Sequence, residues 1–278
     1  MKPVISQILR PRARLPILDR LRLRARFCFS FDKLTKTNGS IIRVSRDSDL
    51  VEIDIGAVGN GLDLLTLQSF IGSSGASVSI AYDRSGSDNH ATNSSKNQQP
   101  RIAEAGVINI VNDKPFLHSL SGMLLNIPIS TFQGLTSGAL MGVFKQLNPE
   151  DSNSVGGIAR ISRSGSANHL SWSDGNAYTG FLAANRYQFN DYQRTNNLSI
   201  HTTINTGNPG QITLYKNART IPCNTIPTND FITNPSSAFF PDTQYGGVDI
   251  SELIILDSVP TSSQRQSLEI HRRKYFRI

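Results

Sequence analysis

Apolar and polar residues alternate in short runs along most of the chain, and stretches rich in Ser, Asn, Gly and Pro separate the runs. Alternation with period two marks a half-buried strand. Such runs occur at residues 41–45, 50–55, 78–82, 107–111, 138–144, 157–162, 198–204, 212–215 and 248–256. The intervening segments, among them 85–99, 148–157 and 225–245, hold side chains that close turns by bonding to nearby backbone. Many short strands at these spacings predict a β-sandwich. No internal repeat interrupts the pattern, so a single body domain is expected.

Two segments change to helical spacing. Residues 62–70 place Leu62, Leu65 and Phe70 among the apolar positions of a short helix that Gly72 stops. Near the end, Pro260 precedes Thr261, and Gln264 follows three residues later, the pattern of a capping box. Leu268 and Tyr275 then fall on one helix face. Arg272, Arg273 and Lys274 complement the negative end of the helix dipole.

Charge adds an N-terminal arm to this picture. The chain has 28 Lys and Arg against 21 Asp and Glu, a net charge of +7. All of that excess lies in residues 1–26, where Lys2, Arg10, Arg12, Arg14, Arg20, Arg22, Arg24 and Arg26 face only Asp19. The remainder is formally neutral. Pro3, Pro11 and Pro16 oppose a long helix across the arm. From Leu21 the alternation predicts a strand with Arg22, Arg24 and Arg26 on one face and Leu21, Leu23, Ala25, Phe27 and Phe29 on the other.

Candidate chemistry is sparse. The sequence has no phosphate-binding loop, no nucleophile elbow and no His-x-x-x-His pair. Cys28 and Cys223 are too few for a disulfide framework. No apolar run approaches the ~20 residues of a membrane span, and no signal peptide is evident. Glycoside hydrolysis needs two carboxyl groups across a sugar. The chain holds five Glu, none of them between Asp151 and Glu252, a stretch that offers Asp174, Asp191, Asp230, Asp242 and Asp249. Trp172, with Asp174, Asn176 and Tyr178 close by, is the best cluster for stacking on a sugar and bonding its hydroxyls; a strand-end residue set into the sandwich is the alternative.

One region is distinctive. Residues 41–56 lead into the first helix; then come Tyr82-Asp83-Arg84-Ser85-Gly86, Asn89-His90-Ala91 and Gln99-Pro100-Arg101-Ile102. The C-terminal strand 250–257 runs into the capped helix that ends Lys274-Tyr275-Phe276-Arg277-Ile278. This order resembles the concanavalin A-like (LamG-type jelly-roll) domains of bacteriophage virion proteins, and its opening is similar to the catalytic domain of fungal α-L-arabinofuranosidase B. The likeness spans roughly residues 25–111 and 248–278. In that motif Tyr82, Asp83, Ser85, Gly86 and Asn89 are expected to be architectural: Asp83 and Ser85 hold turn N–H groups, and Gly86 takes a positive φ.

The resemblance implies an all-β, concanavalin A-like jelly-roll sandwich over residues 25–278, with a short internal helix and a C-terminal helix, after an extended basic arm at 1–24. It further implies a virion structural protein (head decoration, fibre or tail appendage) that is not an enzyme. Arg10, Arg12, Arg14, Arg20, Arg22, Arg24 and Arg26 would dock it on acidic surfaces of other virion proteins, in a homo-oligomer. Its place would be the virion, after synthesis in the host cytoplasm. A carbohydrate-binding receptor-recognition protein for host surface glycans, or a glycoside hydrolase of arabinofuranosidase type, are the alternatives. No cofactor is expected; calcium stays open, as jelly rolls can hold it, although no ligand set is readable, and neither a membrane nor nucleic acid is expected as partner.

Overall fold

The computed structural model describes residues 15–147, 157–163, 166–173, 176–179, 187–189, 196–207, 212–225, 235–243 and 246–278. Antiparallel strands form two layers facing each other across one core. In the first layer Val248–Leu256 is central. It pairs on one side with Ala25–Ser30 and Leu117–Ser119, and on the other with Gly138–Gln146, followed by Ser199–Asn205, Ile212–Lys216 and Arg219–Ile221. The second layer runs from Glu52–Ile55 through Ile42–Arg46, Ala76–Ala81, Ala91–Thr92, Leu125–Asn126 and Ser237–Phe240 to Gly157–Arg163 and Ser166–Ser173. Arg101–Glu104 also pairs with Ala76–Ala81 and touches the first layer at His118. The architecture is therefore the all-β sandwich that the alternation predicts.

Between the layers, Phe27 and Phe29 of the first meet Phe240 of the second, each with ring centres 5.5 Å apart. Ile42, Val44, Val78, Leu125 and Ile161 join them from the second layer, and Leu140, Phe144, Leu253 and Ile255 from the first. Burying such side chains contributes about 1.5–3 kcal/mol each.

A second apolar cluster lies on the outer face of the first layer. There α3, Ser262–Phe276, packs Leu268 and Phe276 over Ala139, Met141, Ile200, Ile254 and Leu256. Its capping box forms as predicted: the Gln264 N–H donates to the Thr261 hydroxyl at 3.2 Å, and the Thr261 N–H donates to Gln264 Oε1 at 2.9 Å. The first helix predicted is α2, Leu64–Ile71, shifted slightly from expectation because Asp63 caps it by accepting from the Thr66 N–H at 3.0 Å.

The N-terminal segment differs from the uninterrupted strand expected. Residues Ile17–Leu21 form a short helix, α1, and Arg22 takes its left-handed C-cap position. A register shift between Ala25 and Phe27 then turns the chain over. Ile17, Leu18, Leu23 and Ala25 fall in the cluster beneath α3, whereas Phe27 and Phe29 enter the main core. Residues 15–24 are thus packed on the body, and the Gln264 amide donates to the Leu21 carbonyl at 2.9 Å.

Candidate functional site

After the strand Ala76–Ala81 the chain forms a hydrogen-bonded turn around Asp83. The Asp83 carboxylate accepts from the backbone N–H groups of Cys28, Ser85 and Asn89 at 2.9, 2.8 and 3.1 Å, and from the Ser85 hydroxyl at 2.7 Å. Gly86 has φ +89°. The Asn89 amide donates to the Arg26 carbonyl at 2.9 Å. This motif stitches the first strand to the second layer.

The other predicted residues are dispersed. Arg10, Arg12 and Arg14 lie outside the described residues, as does Asp174. Arg20 lies in the last turn of α1, Arg22 caps it, and Arg24 faces Asp257 at 3.4 Å. Trp172 sits opposite Ala177 in register, and Ala177 sits opposite the core residue Phe189. Ser171 pairs with Tyr178, and Ser173 with Asn176.

What the tertiary structure adds is a row across the outer face of the second layer. Register places Asp54 opposite Arg43, Arg43 opposite Ile80, Ile80 opposite Thr92, Thr92 opposite Asn126, Asn126 opposite Phe239, and Phe239 opposite Arg160. Each row residue is half-buried or exposed. Their strand neighbours Ile42, Val44, Ile55, Ala81, Ala91, Leu125, Ala238, Phe240 and Ile161 belong to the core. Alternation therefore turns the row outward, as the pleat requires. Seven strands at about 4.8 Å give it a length of roughly 29 Å.

The row's chemistry is mixed. At one end the Arg43 fork grips Asp54 through Nε–Oδ1 at 2.7 Å and Nη2–Oδ2 at 2.9 Å. The Tyr82 hydroxyl donates to the same carboxylate at 2.8 Å. The Arg43 hydrogen bonds, helped by Tyr82, hold the Asp54 carboxyl below its ordinary range, so it stays ionised. Burial, followed by the bond to Asp54, pushes the Tyr82 phenol up to about 12. The Tyr82 ring meets His90 edge-on with centres 4.9 Å apart. At the other end the Arg160 guanidinium lies 5.5 Å over the Phe239 ring. Thr92 and Asn126 supply a hydroxyl and an amide between the ends; the amide donates to the Thr92 carbonyl at 3.2 Å. Three residues after Phe239, Asp242 is buried and exchanges backbone hydrogen bonds with Gly157 at 2.8 and 3.0 Å.

Sequence reasoning did not single out this row. Its signal was present in Ile42-Arg43-Val44 and Ile53-Asp54-Ile55, where a charge stands between two apolar residues. Only the strand pairing brings these positions together. Among the described residues, no group of three metal-ligating side chains occurs, and no helix is long and apolar enough to cross a membrane.

No sequence-family model matches the chain, and no curated protein sequence does. Solved structures do. An arabinofuranosidase complexed with arabinofuranosyl-alpha-1,2-xylobiose superposes with a TM-score of 0.61 at 13% identity, covering 91% of this chain and 63% of that one. A GH54 α-L-arabinofuranosidase soaked with a cyclic sulfate inhibitor gives 0.60 at 12% identity, with the same coverage. A Trypanosoma rangeli sialidase bound to a difluoro-KDN gives 0.50 at 12%, covering 70% of this chain and 31% of its own. The chain thus shares the sandwich fold of these glycosidases and spans less than two thirds of their length.

This corrects two expectations. The chain was expected to be a virion structural protein, and it was expected not to be an enzyme. Solved structures that share its fold over nine-tenths of its length include arabinofuranosidases, and none of the three likenesses given above is to a virion protein. The motif on which the resemblance rested ties the first strand to the second layer in this chain and fixes no role.

Proposed function

We propose that this protein is a glycoside hydrolase that lays a sugar chain across the outer face of the second layer. The observation that carries this is the row itself: an ionised carboxylate, a hydroxyl, an amide, an aromatic ring and two guanidinium groups in one register, each half-buried or exposed, with the Tyr82 phenol bonded to the carboxylate. Sugars are recognised by that combination, rings stacking on apolar faces while planar polar groups bond the hydroxyls. The fold shared with arabinofuranosidases supports the same reading.

In this reading Asp54, held ionised by Arg43 and Tyr82, acts as base, nucleophile or charge stabiliser rather than as the acid. Phe239 and Arg160 position the sugar. Asp242 stands near the other end of the row, about five strand spacings or roughly 24 Å from Asp54, too far for the two carboxyl groups to flank one glycosidic bond. Arabinofuranosyl-substituted xylan and aryl glycosides are the first substrates, with release of sugar followed by reducing-end assay. Release should occur, and Asp54→Asn should lower it by about a hundredfold or more while leaving the melting temperature near that of the wild type. Retention of glycan without release by the wild-type protein would overturn the hydrolase reading. Activity untouched by Asp54→Asn would overturn the placement on this face.

A further inference from the structure

A second feature lies on the opposite side of the molecule, where α1, α3 and the loop after the first strand enclose an open cleft of about 990 Å³. Its walls carry Arg20, Lys33, Lys36 and Lys274, with His271 and the ring of Tyr275. The cleft's carboxylate, Asp32, is already committed: Arg272 Nη1 donates to Asp32 Oδ2 at 2.6 Å from a fully buried position. Lys33 Nζ donates to the neutral Asn38 side chain at 3.0 Å. Among the described residues, no carboxylate forms an ion pair with Arg20, Lys33, Lys36 or Lys274.

Like charges gathered around a concavity cost electrostatic energy that an anion between them would recover, and low-dielectric walls concentrate the field. That field is felt by His271. Its imidazole is held below its ordinary value first by burial, then by Arg272, with Arg20 and Lys274 adding to the effect against the pull of Asp32. Tyr275 gives the cleft an aromatic wall, already flanked by Lys114 Nζ at 4.1 Å and the Arg272 guanidinium at 4.5 Å.

We infer that this cleft binds a polyvalent small anion, whose oxyanion groups pair with Arg20, Lys36 and Lys274 while its body lies against Tyr275. Carboxylates of an acidic sugar chain and the phosphoryl groups of a polyphosphate share that chemistry. Arg20 offers a planar fork suited to either, and the lysines act as point charges. The site is separate from the sugar-binding row and does not depend on it.

The test is calorimetric titration of the full chain with trigalacturonate, inorganic tripolyphosphate and neutral xylotriose. One of the two anions should bind, more weakly as ionic strength rises, and which one binds identifies the source. The pair Arg20→Ala with Lys274→Ala should weaken that binding about tenfold or more, and both side chains are on exposed positions. Lys36→Ala, on the exposed loop, is the second variant should the pair disturb α1. Binding should also raise the pH midpoint of the His271 C–H resonance. Failure of both anions to bind would overturn the inference. Xylotriose binding as tightly as trigalacturonate, or equal binding by wild type and variants, would do the same. Sugar release from arabinoxylan should be unchanged in these variants, which separates this site from the proposed hydrolase face.

Discussion

Asp83 and Arg272 show how a single side chain holds distant parts of this fold. Asp83 serves three backbone N–H groups from two segments 55 residues apart in sequence. Asp83→Ala would leave those donors without their acceptor, at a cost of about 3 kcal/mol or more, read as a lower urea midpoint. Arg272 is buried and bridges Asp32 and Glu252 at 2.6 Å each, and the Ser30 hydroxyl donates to Glu252 at 2.6 Å. Burial pushes the Glu252 carboxyl up against the pull of Arg272 and Ser30. Arg272→Met would strand the acidic partners in the interior and should cost about 3–5 kcal/mol. Chain-order reasoning grouped Arg272 with Arg273 and Lys274 as a dipole complement, yet Arg272 alone turns inward. Its helical position is legible in sequence; its partners, Asp32 just past the first strand and Glu252 on the central strand, are not, because they come together only when α3 docks.

At the scale of elements, local signals were reliable wherever the deciding interactions are local. The capping box of α3 needs only Thr261 and Gln264, which lie on one turn. Thr261→Ala should therefore cost about 1 kcal/mol, visible as a small drop in melting temperature with no change in sugar release. The N-terminal strand was harder to read. Its alternation from Leu21 onward is real, but α1 and the register shift at Arg26 divide it between two apolar clusters. Phe239 illustrates the same limit for the site. It lies in a segment whose Ser, Asn and Pro content reads as turn, and pairing on both sides makes it a strand. Phe239→Ala should weaken glycan retention about tenfold with little change in stability, because the ring is only half-buried.

For the whole molecule, His118 gives stability a pH dependence of known sign. Its Nδ1 lies 2.7 Å from the buried Asp249 carboxylate, which Lys145 also approaches at 3.1 Å. The hydrogen bond to Asp249 raises the His118 imidazole, with Glu104 adding to the effect and burial and Lys145 opposing it. A raised imidazole stabilises the fold fully below its unfolded value of about 6.5. That contribution fades as pH climbs through the higher folded value. The urea midpoint of wild type should therefore exceed that of His118→Gln most at about pH 5.5, and the gap should close by about pH 8.5. His201, buried and held well below its ordinary value by burial and Lys216, acts with the opposite sign in both proteins and cancels in the comparison.

The alternation along this chain determined by itself that the protein is all-β, where most strands lie, and how α3 begins, because period two and a capping box are written in neighbouring residues. It also held the turn chemistry of Asp83, Ser85 and Gly86. Tertiary structure decided the rest. The register across seven strands gathered Asp54, Arg43, Thr92, Asn126, Phe239 and Arg160 onto one face, and the docking of α1 against α3 gathered Arg20, Lys36 and Lys274 around one cleft. Those sites are set by which strand pairs with which and in what register, and burial of the core, summed over the whole chain, chooses among those pairings.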